Sequence, residues 1–384
     1  MRVLYLIDSL TEGGAERSLA ALAPGLVRAG VKLDVAFLHE RPGVGPELEA
    51  AGARLWSLEG RGGAAGALAR ARRLRRRLKP DIVHTTLFEA DITGRLACVG
   101  VRNVKVVGSI VNAAYGPEQL ANPALARWKV RATQLLDAAT ARRVDRFHAV
   151  SQTVADVMAE RLHVSHDRID IVRRGRDAEQ LGIRTAARRD AARAGLGVDG
   201  DSKVILAVGR QEYQKGFDVL VRALAIIARD RHDVRVVVAG RRGGASDSLA
   251  GLAHDLGVDG AITMLGARDD VPELMCAADV LAFPSRWEGM PGTVVEAMAL
   301  ELPIVASRIA MVREVVGDGG AARLVPPEDP PALARAIEAA LDDDTVAEQT
   351  ALLRARFLEC HTLARAVNGM VGFYERVLGR SAGA

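Results

Sequence analysis

Short runs rich in Val, Ile and Leu alternate with amphipathic helical runs along this chain, and the alternation is carried through twice. The first set of strand candidates is Arg2–Ile7, Lys32–Leu38, Arg54–Leu58, Asp81–His84, Lys105–Ser109, Arg146–Ala149 and Ile169–Val172. Helical candidates fall between them at Ala15–Ala29, Ala64–Leu78, Ala90–Cys98, Pro123–Arg143 and Gln152–Leu162. Parallel strands need crossover connections, so this order predicts an α/β fold with a parallel sheet covered on both faces. After Asp177 a segment rich in Arg and Asp runs to Gly200, and the pattern restarts. The second strands are Val204–Val208, Val234–Ala239, Ile262–Leu265, Val280–Phe283, Ile304–Ala306 and Arg323–Val325. Two Rossmann-like domains are expected, residues 1–175 and 200–362, joined by a linker and first helix region at 176–199. Ligands of such sheets sit beyond the carboxyl ends of the strands, which makes an interdomain cleft the expected site.

A chain of 384 residues can bury two cores, and its hydrophobic (49%) and charged (26%) shares are those of a globular protein. The net charge of +4 is spread over the length and gives no argument for a nucleic-acid partner. Three distant cysteines without a CxxC argue against a disulfide framework, and eight scattered histidines against a metal centre. The apolar run at the N-terminus is too short for a signal peptide, and no run approaches the ~20 residues of a spanning helix, so a cytoplasmic location is expected.

The chemistry concentrates in Phe283–Ala299. It reads as the end of a buried strand, a loop with Glu288, and a helix that opens near Gly292 or Thr293 with Glu296 about a turn inside. Pro291 and Gly292 mark the boundary, since Pro is tolerated at a helix start and Gly admits close approach to the backbone. Free N–H groups and the positive dipole end can receive an anion there, flanked by two carboxylates. The bland alternative is a helix N-terminus with stabilising acids. In the second domain, Arg210 and Lys215 follow a strand and Gly209, where two cations can neutralise a diphosphate; the alternative is a pair of solvated surface cations. In the first domain, Gly13 and Gly14 follow the first strand, but neither half has a GxGxxG, which disfavours a dinucleotide cofactor. His84, at a strand end, is more often structural than catalytic. Asp8, Glu16, Glu89 and Asp91 fall near predicted cleft edges. The helix 64–79 is densely basic opposite an apolar stripe of Ala67, Ala71, Leu74 and Leu78. A second basic run holds Arg127, Lys129, Arg131, Arg142 and Arg143 beside Trp128, Leu135 and Leu136. Either can be a solvated face, or can meet an anionic membrane surface.

Gly13-Gly-Ala-Glu16, Ala149-Val-Ser151, Gly209-Arg210 with Lys215-Gly216, Asp279 to Ser285, and Glu288 with Glu296 together resemble the retaining glycosyltransferases of family 4, which have the GT-B fold. The resemblance is collinear over nearly the whole chain. It implies that Glu296 binds the donor ribose, Glu288 contacts the transferred sugar, and Arg210 and Lys215 hold the diphosphate. It also implies that Gly13 and Gly14 let the first-domain loop approach the donor, and that Gly289, Met290, Pro291, Gly292 and Thr293 line the sugar and phosphate. The final helix, about 363–384, is expected to return to the first domain. Two departures stand out. The His that many relatives place after the fifth strand is replaced near Val111, with Asn112 as a substitute. The usual Asn-Gly-x-Asp between domains is Arg174-Gly175-Arg176-Asp177.

The resulting expectation is a retaining glycosyltransferase that moves a hexose or N-acetylhexosamine from a UDP- or GDP-linked donor to a hydroxyl acceptor, small or lipid-linked, without cofactor or metal. His84, Glu89, Asp91 and Asn112 are the acceptor-side candidates. A nucleotide-sugar 2-epimerase of the same architecture and a non-catalytic sugar-nucleotide-binding protein are the alternatives.

Overall fold

A computed structural model describes residues 1–120, 122, 125–198 and 200–380, except for the side chain of residue 118. The chain forms two compact units, Met1–Gly175 with the segment that begins at Thr362, and Arg176–His361. The first contains β1 (Arg2–Ser9), β2 (Lys32–His39), β3 (Arg54–Ser57), β4 (Ile82–Thr86), β5 (Lys105–Ile110), β6 (Arg146–Ala149) and β7 (Ile169–Ile171). They form one parallel sheet in the order β3-β2-β1-β4-β5-β6-β7. The second contains β8 (Lys203–Val208), β9 (Val234–Ala239), β10 (Ile262–Gly266), β11 (Val280–Phe283), β12 (Ile304–Ser307) and β13 (Arg323–Val325), parallel in the order β10-β9-β8-β11-β12-β13.

Burial explains why these segments are strands. β4, β11 and β12 are buried at every residue, whereas edge strand β3 is exposed at both ends. Continuous apolar runs suit strands covered on both faces, and only the edge tolerates polar positions. The covering helices bury apolar stripes: in Phe217–Ile227 seven residues, from Phe217 to Ile227, enter the second core.

In both sheets the strand order reverses between neighbours that are far apart in sequence, β1 beside β4 and β8 beside β11. Loops leaving such a pair diverge to opposite faces and open a crevice at the carboxyl end.

Residue 199 of the expected linker region 176–199 lies outside the described residues, and residues 176–198 are not a free linker. Their helix Ala186–Leu196 is tied to the second sheet through Asp279, which takes Arg189 at 2.7 Å, Arg193 at 3.3 Å and the Val204 N–H at 2.8 Å. The last described helix, Leu363–Val377, packs in the first unit, where Met370, Phe373 and Tyr374 join the core beside Tyr5 and Leu19. Gly25 permits this, since a Cβ there would lie 2.5 Å from a methyl of Val367. Residues 381–384 of the expected terminal helix, and Pro123 of the expected helix 123–143, lie outside the described residues; the observed helix is Arg127–Ala141.

Candidate active site

The loops that follow β8 and β11 meet at the switch point of the second sheet. Gly216 ends the first of them with φ +63°, and a Cβ there would lie 2.2 Å from the Pro284 carbonyl oxygen. Only glycine fits both demands. The loops are then stitched by backbone and side chain: the Arg286 N–H donates to the Gln214 carbonyl (2.8 Å), and Gln214 Nε2 donates to the Trp287 carbonyl (2.8 Å). Buried Arg286 stacks its guanidinium 4.0 Å from the Tyr213 ring centroid and binds Asp218 (2.8 Å) and Glu328 (2.6 Å). Burial opposes its charge, but the hydrogen bonds it donates to these two carboxylates outweigh it and raise the pKa further.

This scaffold brings Lys215 to Glu288. Lys215 Nζ donates to Glu288 Oε1 at 2.6 Å, and the carboxylate is buried. The ammonium also lies 5.7 Å from the Phe283 ring centroid. Gly209 makes room for the lysine stem, because a Cβ there would sit 3.1 Å from its Cε. Arg210 does not join the pair: its side chain is 59% exposed and its nearest carboxylate is Glu212 of its own loop, at 3.6 Å.

The helix Gly292–Ala299 opens behind Pro291, with Gly289 and Met290 buried before it and Thr293 in its first turn. Glu296 projects from it, and Arg176 Nε donates to Glu296 Oε1 at 2.5 Å. A Cβ on Gly292 would fall 2.2 Å from an Nη of Arg176, so glycine is what lets the guanidinium lie against the start of the helix. Each acid thus has its own cation, Glu288 with Lys215 and Glu296 with Arg176, at the N-terminal end of one helix. Chemically this offers two acceptor carboxylates for hydroxyl groups, and cations and a helix N-terminus for phosphate oxygens. Among the described residues no group of three His, Cys, Asp or Glu stands close enough to hold a metal ion.

In the first unit, Gly13 caps the helix Gly14–Arg28, and a Cβ on it would meet Glu16 Oε2 at 2.3 Å. The buried Glu16 carboxylate folds over its own helix start, while Gly14 is open to within 3.5 Å of Arg174. His84 is a core residue rather than an acceptor-facing one. Its Nδ1 pairs with the Tyr374 hydroxyl and its Nε2 with Ser109 Oγ, each at 2.7 Å, and burial lowers its pKa well below 6.5. His148 Nε2 meets the same Ser109 at 2.7 Å, and burial pushes its pKa down to about 3. Asp91 is likewise internal. It accepts from Thr85 (2.5 Å) and lies 3.3 Å from Arg95, yet burial raises its pKa to about 7. Asp8 accepts the Ala90 N–H (2.7 Å), and burial raises it to about 6. Glu89 stays exposed and pairs with His39 at 2.8 Å. Asn112 follows β5, with its Oδ1 buried and without a hydrogen-bond partner among the described residues.

The sequence profile of the family "Glycosyltransferase Family 4" matches residues 12–180, and that of "Glycosyl transferases group 1" matches residues 188–355. The D-inositol 3-phosphate glycosyltransferase of Mycolicibacterium smegmatis is 30% identical over 311 residues, 78% of this chain and 68% of that one. The chain belongs to the group 1, family 4 glycosyltransferases. The D-inositol 3-phosphate glycosyltransferase of Mycolicibacterium vanbaalenii is 32% identical over 271 residues, and the match spans 65% of this chain but only 57% of that relative. The alpha-D-kanosaminyltransferase of Streptomyces kanamyceticus is 28% identical over 267 residues, 68% of this chain and 66% of that one. Among solved structures, Anabaena HepE in complex with UDP-glucose superimposes with a TM-score of 0.86 at 20% identity, over 98% of this chain and 100% of that one. Sucrose-phosphate synthase of Thermosynechococcus elongatus gives 0.83 at 19% identity, over 99% of both chains. At such identities the likeness establishes the GT-B fold.

Two residues of this family 4 chain escape a reading of the sequence. Arg286 lies inside the central stretch, three residues after Phe283, but nothing local says that it is buried between Asp218 and Glu328. Arg176 stands in the altered Arg-Gly-Arg-Asp turn. That departure from the usual sequence was the available signal, and its partner is 120 residues away.

Proposed function

We propose that this chain transfers a hexose or N-acetylhexosamine from a nucleoside diphosphate donor to a hydroxyl acceptor, with retention of configuration at the anomeric carbon. The observation that carries the reading is the pairing of Glu288 with Lys215 and of Glu296 with Arg176 around the start of the helix Gly292–Ala299. HepE, of the same fold, is described in complex with UDP and with UDP-glucose, which favours uridine as the base. Glu296 exchanges Arg176 for the ribose hydroxyls, Glu288 orients the sugar, and Lys215, joined by Arg210 once its exposed side chain turns inward, holds the diphosphate. The acceptor oxygen bonds to the anomeric carbon on the face the phosphate leaves. The carbon–oxygen bond to the diphosphate breaks with its electron pair on that oxygen, which takes the acceptor proton. The protein's contribution is to stabilise the leaving group and hold the acceptor hydroxyl beside it on the same face of the anomeric carbon. This needs no resident cofactor, because the charge is supplied by side chains and the helix end.

Calorimetric titration of UDP and GDP into the wild type, Glu296→Gln and Lys215→Ala tests the site. A carboxylate hydrogen-bonded to ribose is worth roughly tenfold or more in affinity, so Glu296→Gln weakens the nucleotide by at least that. Lys215→Ala lowers turnover of the matching donor, and the product anomer is read by NMR. Full binding and turnover in both variants would refute the assignment, and a new sugar nucleotide formed without acceptor would identify an epimerase.

A further inference from the structure

Four of the exposed large apolar side chains in the described residues lie on one short stretch of the first unit: Leu125, Trp128 (68% exposed), Leu135 (71%) and Leu136. The last three belong to the helix Arg127–Ala141. At about 100° per residue, Trp128, Ala132, Leu135 and Ala139 fall within a strip of about 60°, with Leu136 at its edge. Exposed cations border it, Arg131 on one side and Lys129 on the other, with Arg127 at the start and Arg142 and Arg143 just past the end. Lys129 Nζ lies 5.7 Å from the Trp128 ring centroid. The helix has a single acid, Asp137, and it is turned inward to Arg95 (2.6 Å) and the Tyr115 hydroxyl (2.8 Å). The outer face therefore carries aromatic and aliphatic groups and positive charge, with no negative charge.

The other basic helix, Gly63–Leu78, is built differently. Arg70 donates to the carbonyls of Leu58 (2.8 Å) and Arg61 (3.0 Å), Arg72 to that of Leu96 (3.3 Å), and Arg77 lies over Trp56. Its apolar stripe of Ala67, Ala71, Leu74 and Leu78 is buried, and none of its exposed residues is a large apolar one. It offers charge without anything to insert.

We propose that the helix Arg127–Ala141 docks in the plane of an anionic bilayer, Trp128 and Leu135 entering the headgroup boundary while Lys129, Arg131 and Arg142 pair with acidic lipid. A face of this composition fits that boundary because the rings and aliphatic groups gain from leaving water and the cations lie among phosphates. A protein partner would have to bring an acidic groove; an acidic membrane supplies both halves of the match.

The full chain is mixed with vesicles of phosphatidylcholine alone or with one third phosphatidylglycerol, and binding is read by co-sedimentation and by Trp fluorescence. The expected result is binding to the anionic vesicles only, with a blue shift, weakened at high salt. Trp128→Ser/Leu135→Ser binds about tenfold or more weakly, with unchanged circular dichroism. Lys129→Glu/Arg131→Glu also loses about tenfold or more. Neutralising Arg72, Arg73, Arg76 and Arg77 together leaves most of the binding. No binding by the wild type, or undiminished binding by Trp128→Ser/Leu135→Ser, overturns the proposal. So does a dimer in solution that this double variant converts to monomer, which would make the face a contact between copies of the chain.

Discussion

Removing the lysine of the Lys215–Glu288 pair should cost the second unit more than removing both charges. The Glu288 carboxylate is buried, and Lys215 Nζ at 2.6 Å is the donor it holds. Lys215→Met keeps most of the stem against Gly209 but leaves the carboxylate without that charge. Stranding one member of a fully buried pair costs ~3–5 kcal/mol, and partial screening of a lysine that is 21% exposed brings this to about 2–3 kcal/mol. For a unit of this size that is a fall in Tm of roughly 5–10 °C. Glu288→Gln alone should cost less, because the ammonium can turn toward water. The double variant Lys215→Met/Glu288→Gln should lie closer to the wild type than Lys215→Met does, with a coupling of about 1–2 kcal/mol. Urea unfolding is followed in a background where Trp56 and Trp128 are Phe, so that Trp287, in the loop that carries Glu288, reports alone. Single-variant costs that add to within about 0.5 kcal/mol in the double variant would show that the two groups do not share a buried bond, and the argument from their pairing would collapse.

Gly216→Ala places a Cβ at φ +63° and 2.2 Å from the Pro284 carbonyl. It should destabilise the second unit by at least ~1–2 kcal/mol and misplace Lys215, read as a lower Tm and weaker UDP binding. Arg176→Ala frees Glu296 from its cation. If the ribose must displace Arg176, uridine binds this variant at least as tightly as the wild type; a loss of uridine affinity would instead make Arg176 a positioning residue for Glu296. In the first unit, folded Asp91 keeps its proton up to about pH 7 and unfolded Asp91 loses it near 3.8, so this group lowers stability as pH rises between those values. His148 titrates at about 3 when folded and near 6.5 when unfolded, so it lowers stability as pH falls below 6.5. The two trends oppose each other between about pH 4 and 6.5. Asp91→Asn removes one, and its Tm should climb more steeply from pH 4.5 to 6.5 than that of the wild type; an unchanged slope would show that Asp91 is ionised in the folded protein.

Backbone order was legible because parallel strands buried on both faces write themselves as unbroken apolar runs, and Pro291-Gly292 announces the helix that carries Glu296. Side-chain pairing was not, since it depends on residues brought together from 73 positions apart in Lys215–Glu288 and 120 in Arg176–Glu296. Burial is equally non-local: His84 and Asp91 look like site residues in the sequence, and it is the C-terminal helix with Tyr374 and the neighbouring Arg95 that draw them into the core. The same non-locality separates the two basic helices. Their sequences are similarly cationic, but the fold buries Leu74 and Leu78 of Gly63–Leu78 and half-buries Leu68, while it leaves Trp128 and Leu135 of Arg127–Ala141 outside. What distinguishes the second helix is which face the fold had no use for, and a surface that the core does not need is where a contact with something outside the chain can be built.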